Sequence, residues 1–344
     1  MVTPAQLLAG KTLDGGWVVG NMIIRPPDAT GGHFSCSYNV QSKDGMPAFL
    51  KAMDYSAALN SPDPATELQA MTKAYNFERD IVMKCRNRHL DRVVRAITSG
   101  KFHISESGVN GPVEYLIFEQ ADKDIRGQLD MLQSFNLAWV LRSLHQMATG
   151  LKQLHGEGIA HQDLKPSNVL VFDSKVSKLA DLGCASDKAA DSPRDILNVP
   201  GDYGYAPPEL LYKYRATDWH ERRVAPDLYH LGSMVVFMFT TSSMTGLLLS
   251  EMSPAHHWKV WTGTFADVAP YIREAFGRAL EKIENDLPSH PDLRKELMLI
   301  ISRLCDPDPQ YRGHPKNGAK SYSLERYVNW FNLLAYRAGI GTYN

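Results

Sequence analysis

Within eight residues, the stretch HQDLKPSNVLV at 161–171 places a histidine, an aspartate, a lysine and an asparagine, then runs straight into an apolar segment. His161, Asp163, Lys165 and Asn168 together offer a titratable ring, a fixed negative charge, a cation and a neutral carbonyl oxygen. Chance polarity in a surface loop would give such a set, and so would a loop that handles phosphate and metal. Thirteen residues beyond Asn168 a second aspartate, Asp181, opens DLG after the strand-like VSKLA. Either aspartate alone reads as a turn or strand-end residue; the order and spacing of the whole set favour chemistry.

Two kinds of sequence must position these groups. Residues 13–53 read as strands, because WVVGNMII, FSCSYNVQ and AFLKAMD are short and mostly apolar or alternating, with turn-formers in PPDATGG and SKDGMP between them. NSPDP breaks the chain before a helix over about 67–86, and RVVRAIT and VEYLIFEQ are strand-like again. After Phe118 the pattern changes. Leu137, Leu141, Leu144, Met147, Leu151 and Leu154 recur at steps of three or four, the apolar face of one long helix. Helical patterns dominate from there to a last helix over about 323–338, with Leu324, Tyr327, Val328, Phe331 and Leu334 on one face and Gly339 at its stop. A strand-rich first 120 residues and a helix-rich remainder predict an α+β chain in two lobes joined at EQADKD, an arrangement that commonly binds a ligand between its lobes. The expected division is an N-terminal extension at 1–12, a small lobe at 13–120, a large lobe at 121–315, and a C-terminal helix at 316–344 packing on or extending the large lobe.

Composition narrows the function. With 344 residues, 44% hydrophobic and 22% charged, the chain can bury a sizeable core. Lys plus Arg (37) nearly balance Asp plus Glu (38), which argues against nucleic acid or an anionic membrane as partner. Cys36, Cys85, Cys184 and Cys305 are scattered without a CxxC pair, which predicts reduced thiols and a cytoplasmic protein. The twelve histidines form no HExxH or Cys/His ligand spacing. The N-terminus lacks the basic start and apolar core of a signal peptide. Residues 231–249 carry no charge, but Ser, Thr and Gly interrupt them, so a buried helix running into a turn is the expectation rather than a membrane span.

The stretch LHGEGIAHQDLKPSNVLV, followed by DLG, GDYGYAPPELL and PDLYHLG, resembles the eukaryotic-like serine/threonine protein kinase family over roughly residues 13–315. The resemblance implies a bilobal fold with a small β-rich N-lobe and a larger, mainly α-helical C-lobe. It also implies ATP with Mg2+ (Mn2+ as a substitute) and a protein substrate carrying serine or threonine. In such enzymes catalysis is alignment and charge neutralisation more than covalent chemistry. Asp163 is then expected to orient the substrate hydroxyl, Lys165 to reach the transferred phosphate, and Asp181 and Asn168 to hold metal.

AFLKAMD resembles the family's V-A-I-K strand and nominates Lys51 for the α- and β-phosphates. Its carboxylate partner lies in NFERDIVMKCRNRH. Counting back from His89 favours Asp80, whereas helix phase favours Glu78, with Ile81, Val82 and Cys85 three, four and seven residues on. The two differ by about 200° around a helix, so both cannot face Lys51; Glu78 is the choice. TGGHFSCSY at 30–38 matches the glycine-rich loop only at Gly32 and Phe34. For the base, Leu170 is the expected apolar floor, Phe118 the gatekeeper, and the backbone from Glu119 to Ala121 the adenine edge. Phe49 replaces the usual alanine, with a small Ser37 read as its opposite.

Other departures bear on regulation. Gln162 replaces the arginine that, in kinases possessing it, pairs with a phosphate on the activation segment, so activity is not expected to depend strictly on phosphorylation there. Ser186 and Ser192 are the expected autophosphorylation sites. Asp202 stands where the family has a threonine, able to pair with Lys165 but repelling Asp163. Glu209 is expected to pair with Arg312, and Asp227 to anchor the buried helix after it. Besides an active protein kinase, these residues admit a pseudokinase that binds nucleotide or scaffolds, and a small-molecule kinase. A regulatory partner in trans is compatible with the first.

Overall fold

The computed structural model describes residues 2–24, 35–106, 109–131 and 135–343, which divide into two compact units, Met1–Asp122 and Lys123–Asn344. The first is β-rich and the second mainly helical, the α+β class that the sequence predicts.

The smaller unit is built on an antiparallel sheet of β1 (Thr12–Leu13), β2 (Trp17–Met22), β3 (Ser35–Gln41), β4 (Pro47–Met53), β5 (Ala96–Glu106) and β6 (Val109–Glu119). Its strand order is β1-β2-β3-β4-β6-β5. The two-residue period of β4 sends Ala48, Leu50 and Ala52 into the core and Phe49 and Lys51 to the opposite face. Residues 1–12 are not an extension. Ala5 and Leu8 are buried in this core, the Tyr38 hydroxyl donates to the Ala5 carbonyl (2.6 Å), and Thr12 and Leu13 pair with β2. The β5–β6 hairpin also departs from expectation, since β5 starts at Ala96, inside RVVRAIT, and runs on to Glu106. Its outer part is largely exposed, so little apolar alternation marks it. After α1 (Ser56–Leu59), α2 (Pro64–Asn87) starts with Asp63 accepting from the Thr66 amide (3.2 Å) and Pro64 at its first position. Its buried face is Tyr75, Phe77, Glu78, Ile81, Val82 and Cys85, a helical repeat with one carboxylate in it.

In the larger unit, α3 (Ile125–Met131) and α4 (Leu137–Gly156) lead into β8 (Ile159–Ala160). A tight hairpin of β9 (Val169–Phe172) and β10 (Val176–Leu179) follows, with β7 (Lys123–Asp124) on the β9 side and β11 (Ser186–Asp187) pairing with β8. Next come α5 (Pro208–Leu211), α6 (Ala225–Thr240), α7 (Met244–Ser250), α8 (Phe265–Asp286), α9 (Pro291–Leu304) and α10 (Glu325–Gly339). Helix α6 is buried along nearly its whole length and turns sharply before α7, as the uncharged 231–249 stretch predicts. Among the described residues no single helix is long and apolar enough to cross a membrane. Helix α10 packs along α4, sinking Tyr327, Val328, Phe331 and Leu334, and the His145 ring bonds the Val328 carbonyl at 3.0 Å.

Candidate functional site

The smaller unit carries one group of candidate residues. Lys51 Nζ lies 2.7 Å from Glu78 Oε1, with both side chains largely buried. Asp80 is on the outer face of α2, exposed and paired with Arg79 at 2.9 Å, so helix phase rather than counting from His89 locates the partner. Sheet register sets the neighbours. Lys51 is opposite Ser37 on one side and Leu116 on the other, and Phe49 is opposite Asn39 and Phe118. Ser37 therefore shares Phe49's face but does not oppose it, contrary to the sequence reading, because pairing in β3–β4 is two residues out from that guess. Glu119 ends β6, exchanging backbone and side-chain bonds with Arg95 (3.1 and 2.7 Å), and Ala121 follows beyond the strand. Gly32 and Phe34 lie outside the described residues.

The larger unit carries the 161–171 loop. Asp163, Lys165 and Asn168 are each about 5% exposed, at 6%, 6% and 5%. Asn168 Nδ2 donates both to the Asp163 carbonyl (2.7 Å) and to Asp163 Oδ2 (3.0 Å). That fixes the amide with its Oδ1 turned the other way, towards the Ser167 hydroxyl at 3.4 Å. The Lys165 ammonium sits 3.3 Å from Asp163 Oδ2 and 3.1 Å from Asp202 Oδ2, and the Asp202 amide donates to Asp163 Oδ1 (2.8 Å). Burial disfavours the Lys165 charge, but the two carboxylates outweigh it and raise its pKa. Lys165 thus bridges two acids that would otherwise repel, which resolves the conflict expected at Asp202.

The β9–β10 hairpin delivers Asp181. Val169 pairs with Leu179, and the next rung is the Ala180 amide donating to the Asn168 carbonyl (2.9 Å). Asp181 follows at once, solvent-exposed and in the left-handed backbone region (φ 57°), which aspartate tolerates better than most residues. Leu170 is in β9, half-buried. The donors offered by Asp181 and Asn168 are oxygens only, one of them anionic. That suits a hard cation such as Mg2+, which keeps waters and phosphate oxygens for its remaining positions.

Two groups brace the loop. The fully buried Asp227 accepts from the His161 amide (2.7 Å), the Gln162 amide (2.8 Å) and the His155 ring (2.8 Å). Burial alone would raise its pKa, but hydrogen bonds from His155 and His230 hold it far below the ordinary carboxylate range. His161 accepts from the Asp163 amide at Nδ1 (3.3 Å) and donates from Nε2 to the Ala180 carbonyl (3.1 Å). This is the neutral Nε2–H tautomer, in keeping with burial pushing its pKa down. As pH falls below His161's unfolded pKa of about 6.5, the unfolded chain takes up a proton that the folded one refuses, so stability declines. His161→Phe should flatten that acid-side slope in denaturant titrations at pH 5–7, the window following from the direction of the shift.

Gly201 sets the approach of the segment carrying Asp202. A Cβ there would lie 2.5 Å from Asp163 Oδ1 and 2.6 Å from the Gln162 carbonyl. Gly201→Ala should push back both the carboxylate and the Gln162 backbone, cutting turnover by about 10²-fold and lowering the thermal midpoint as well, measured by steady-state kinetics beside a melting curve.

The remaining expectations fall elsewhere. Glu209 and Arg312 form a buried two-pronged ion pair (2.7 and 2.9 Å). Ser186 and Ser192, expected as modifiable hydroxyls, are 1% and 2% exposed, and they bond Asp195 and the Asp187 amide respectively. Two residues escape sequence reading altogether. Arg223 is 1% exposed and pairs with Asp195 while bonding Gln162. ERR looks like a solvated basic run, and only the missing arginine at 162 hinted that another cation was needed nearby.

With this geometry in view, the likenesses to known proteins can be placed. A family model described as Protein kinase domain matches residues 32–321. Cysteine-rich receptor-like protein kinase 6 of Oryza sativa subsp. japonica is 25% identical over 284 residues, covering 80% of this chain and 35% of the relative. Cyclin-dependent kinase 9 of Homo sapiens is 34% identical over 134 residues, 37% of this chain and 34% of the relative. Cyclin-dependent kinase 2 of Caenorhabditis elegans is 37% identical over 101 residues, 28% of this chain and 27% of the relative. The chain therefore spans about a third or less of these relatives' own lengths. A match over so much of the chain, on a β-rich unit followed by a helical one, shows the family: this chain belongs to the protein kinase domain family.

Proposed function

We propose that the protein transfers the terminal phosphoryl group of ATP to serine and threonine hydroxyls of protein substrates. The observation that carries this reading is the buried Asp163–Asn168–Lys165 cluster, bonded through the Asn168 carbonyl to the residue before Asp181. Asp163 orients the acceptor hydroxyl and receives its hydrogen bond. Lys165 places positive charge where negative charge gathers in transfer, and the Lys51–Glu78 pair holds an ammonium ready for phosphate oxygens. Asp181 and Asn168 would hold Mg2+, which supplies neutralisation of the phosphate charge when bound. A lysine two residues beyond the aspartate favours serine and threonine over tyrosine, by resemblance. Autophosphorylation at Ser186 or Ser192 has no support from their burial. Four cysteines scattered along the sequence without a CxxC pair favour a cytoplasmic setting.

The test is transfer of labelled phosphate from ATP with magnesium to a generic protein, beside Asp163→Asn and Asp181→Asn. The reading expects transfer by the wild type and its loss in both variants. Nucleotide binding without transfer would replace it with a scaffolding role, and transfer only to small alcohols or amines with a small-molecule kinase.

A further inference from the structure

The segment from 182 to 204 crosses the larger unit between Asp181 and Asp202, and a single residue fixes its middle. Asp195 Oδ1 forms an ion pair with Arg223 Nε at 3.0 Å, and Oδ2 accepts from the Ser186 hydroxyl (3.2 Å). Its main-chain carbonyl accepts from Arg223 Nη2 (2.8 Å) and Arg215 Nη2 (2.6 Å). Trp219 Nε1 closes the ring by donating to the Ser186 hydroxyl at 3.1 Å.

Arg223 faces the catalytic loop as well. Its Nη1 donates to Gln162 Oε1 (3.3 Å), while Gln162 Nε2 donates to the Arg223 carbonyl (2.5 Å). Gln162 adopts a left-handed backbone (φ 68°), a conformation that persists in such a residue only when its surroundings over-determine it. Here its amide on Asp227 and its side chain on Arg223 do so. Arg223 itself sits in a wide π turn, His220–Val224, that feeds α6. The turn projects a guanidinium into the interior, where an unpaired charge would be strongly disfavoured. Asp195 supplies the counter-charge. The hydroxyl nearest that carboxylate, Ser186, is buried and already bonded to it, so a phosphate there would meet Asp195 at close range.

We propose that Asp195 and Arg223 are positioning residues: a permanent carboxylate holds the 182–204 segment onto the catalytic loop through Arg223 and Gln162, so that transfer needs no phosphate on that segment. The proposal rests on the kinase reading above. It adds which residues replace a reversible anion with a built-in one.

The test uses the full chain and three readouts. Wild type treated with phosphatase until its intact mass shows no phosphate should transfer at the same rate as the untreated protein. Asp195→Asn keeps the volume and loses the charge. It should lower kcat by about 10- to 100-fold, the range for losing a hydrogen-bonded charge partner. KM for ATP should stay within about twofold, because the loss falls on alignment rather than nucleotide binding. Amide exchange across 186–200 should rise in the same variant. Arg223→Lys, which keeps the charge but not the fork, should fall between wild type and Asp195→Asn. An Asp195→Asn protein with wild-type rate and exchange would overturn the proposal. So would faster exchange with unchanged kcat, since the clamp would then be structural only, and so would activity lost on phosphatase treatment. Wild type that binds ATP but transfers nothing would sink the kinase reading itself and the catalytic role of the clamp with it.

Discussion

Asp163→Asn should lower phosphoryl transfer by roughly 10²–10⁴-fold while leaving the fold intact, the loss usual for a positioned group that manages a proton. The substitution nearly preserves shape, so the cause lies in the donors around it. A carboxylate has about four lone-pair positions. The Asp202 amide takes one on Oδ1, and Asn168 and Lys165 converge on Oδ2. Among the described residues the hydrogen-bond partners of this carboxylate are thus all donors, and the position left is where an incoming hydroxyl can bond. An asparagine must turn an NH2 group toward one of those two sets, putting donor against donor. Steady-state rates beside nucleotide affinity by calorimetry check this: kcat should fall and ATP affinity should hold. Equal losses in both would point instead to a collapsed loop.

The largest effect on stability is expected at Arg312. Its guanidinium is about 1% exposed and grips both oxygens of Glu209 (2.7 and 2.9 Å) while donating to the carbonyls of Asp306 and Ala225. Burial would lower its pKa, but Glu209 raises it above the ordinary arginine value. Arg312→Met leaves Glu209 charged and unpaired in the interior, a change that typically costs about 3–5 kcal/mol. Against a total of about 5–15 kcal/mol, that brings the larger unit near its unfolding limit. Urea titration should show the loss. Adding Glu209→Leu should recover part of it, because the second substitution removes the stranded charge but not the orphaned carbonyls. A double variant less stable than Arg312→Met would contradict this account.

How much of this could be read beforehand depends on distance along the chain. The Asp163–Asn168 pair and the hairpin to Asp181 are local, so spacing alone carries them. Glu78 was legible because a helix repeats every 3.6 residues and an apolar face with one acid in it stands out. Pairing across strands was less so: register places Ser37 opposite Lys51, and nothing in the composition of β3 fixes a two-residue slide. The Asp195–Arg223 contact joins positions 28 apart in irregular structure, where no period applies. Residues 1–12 failed for a related reason. A short 3-10 turn and a two-residue strand give too few side chains to show which face is buried.

Helix α10 lies past residue 321, where the family match stops, and β1 and β2 lie before residue 32, where it starts. A fragment trimmed to those limits would strip two strands off the sheet, leaving the backbone edge of β3 unpaired, and would bare the groove on α4 that now receives Phe331 and Leu334. An unprotected sheet edge and a long greasy stripe invite self-association. For anyone expressing this catalytic unit, the safe ends are therefore set by what the core uses, some 30 residues wider on the N-terminal side than the shared motif region suggests.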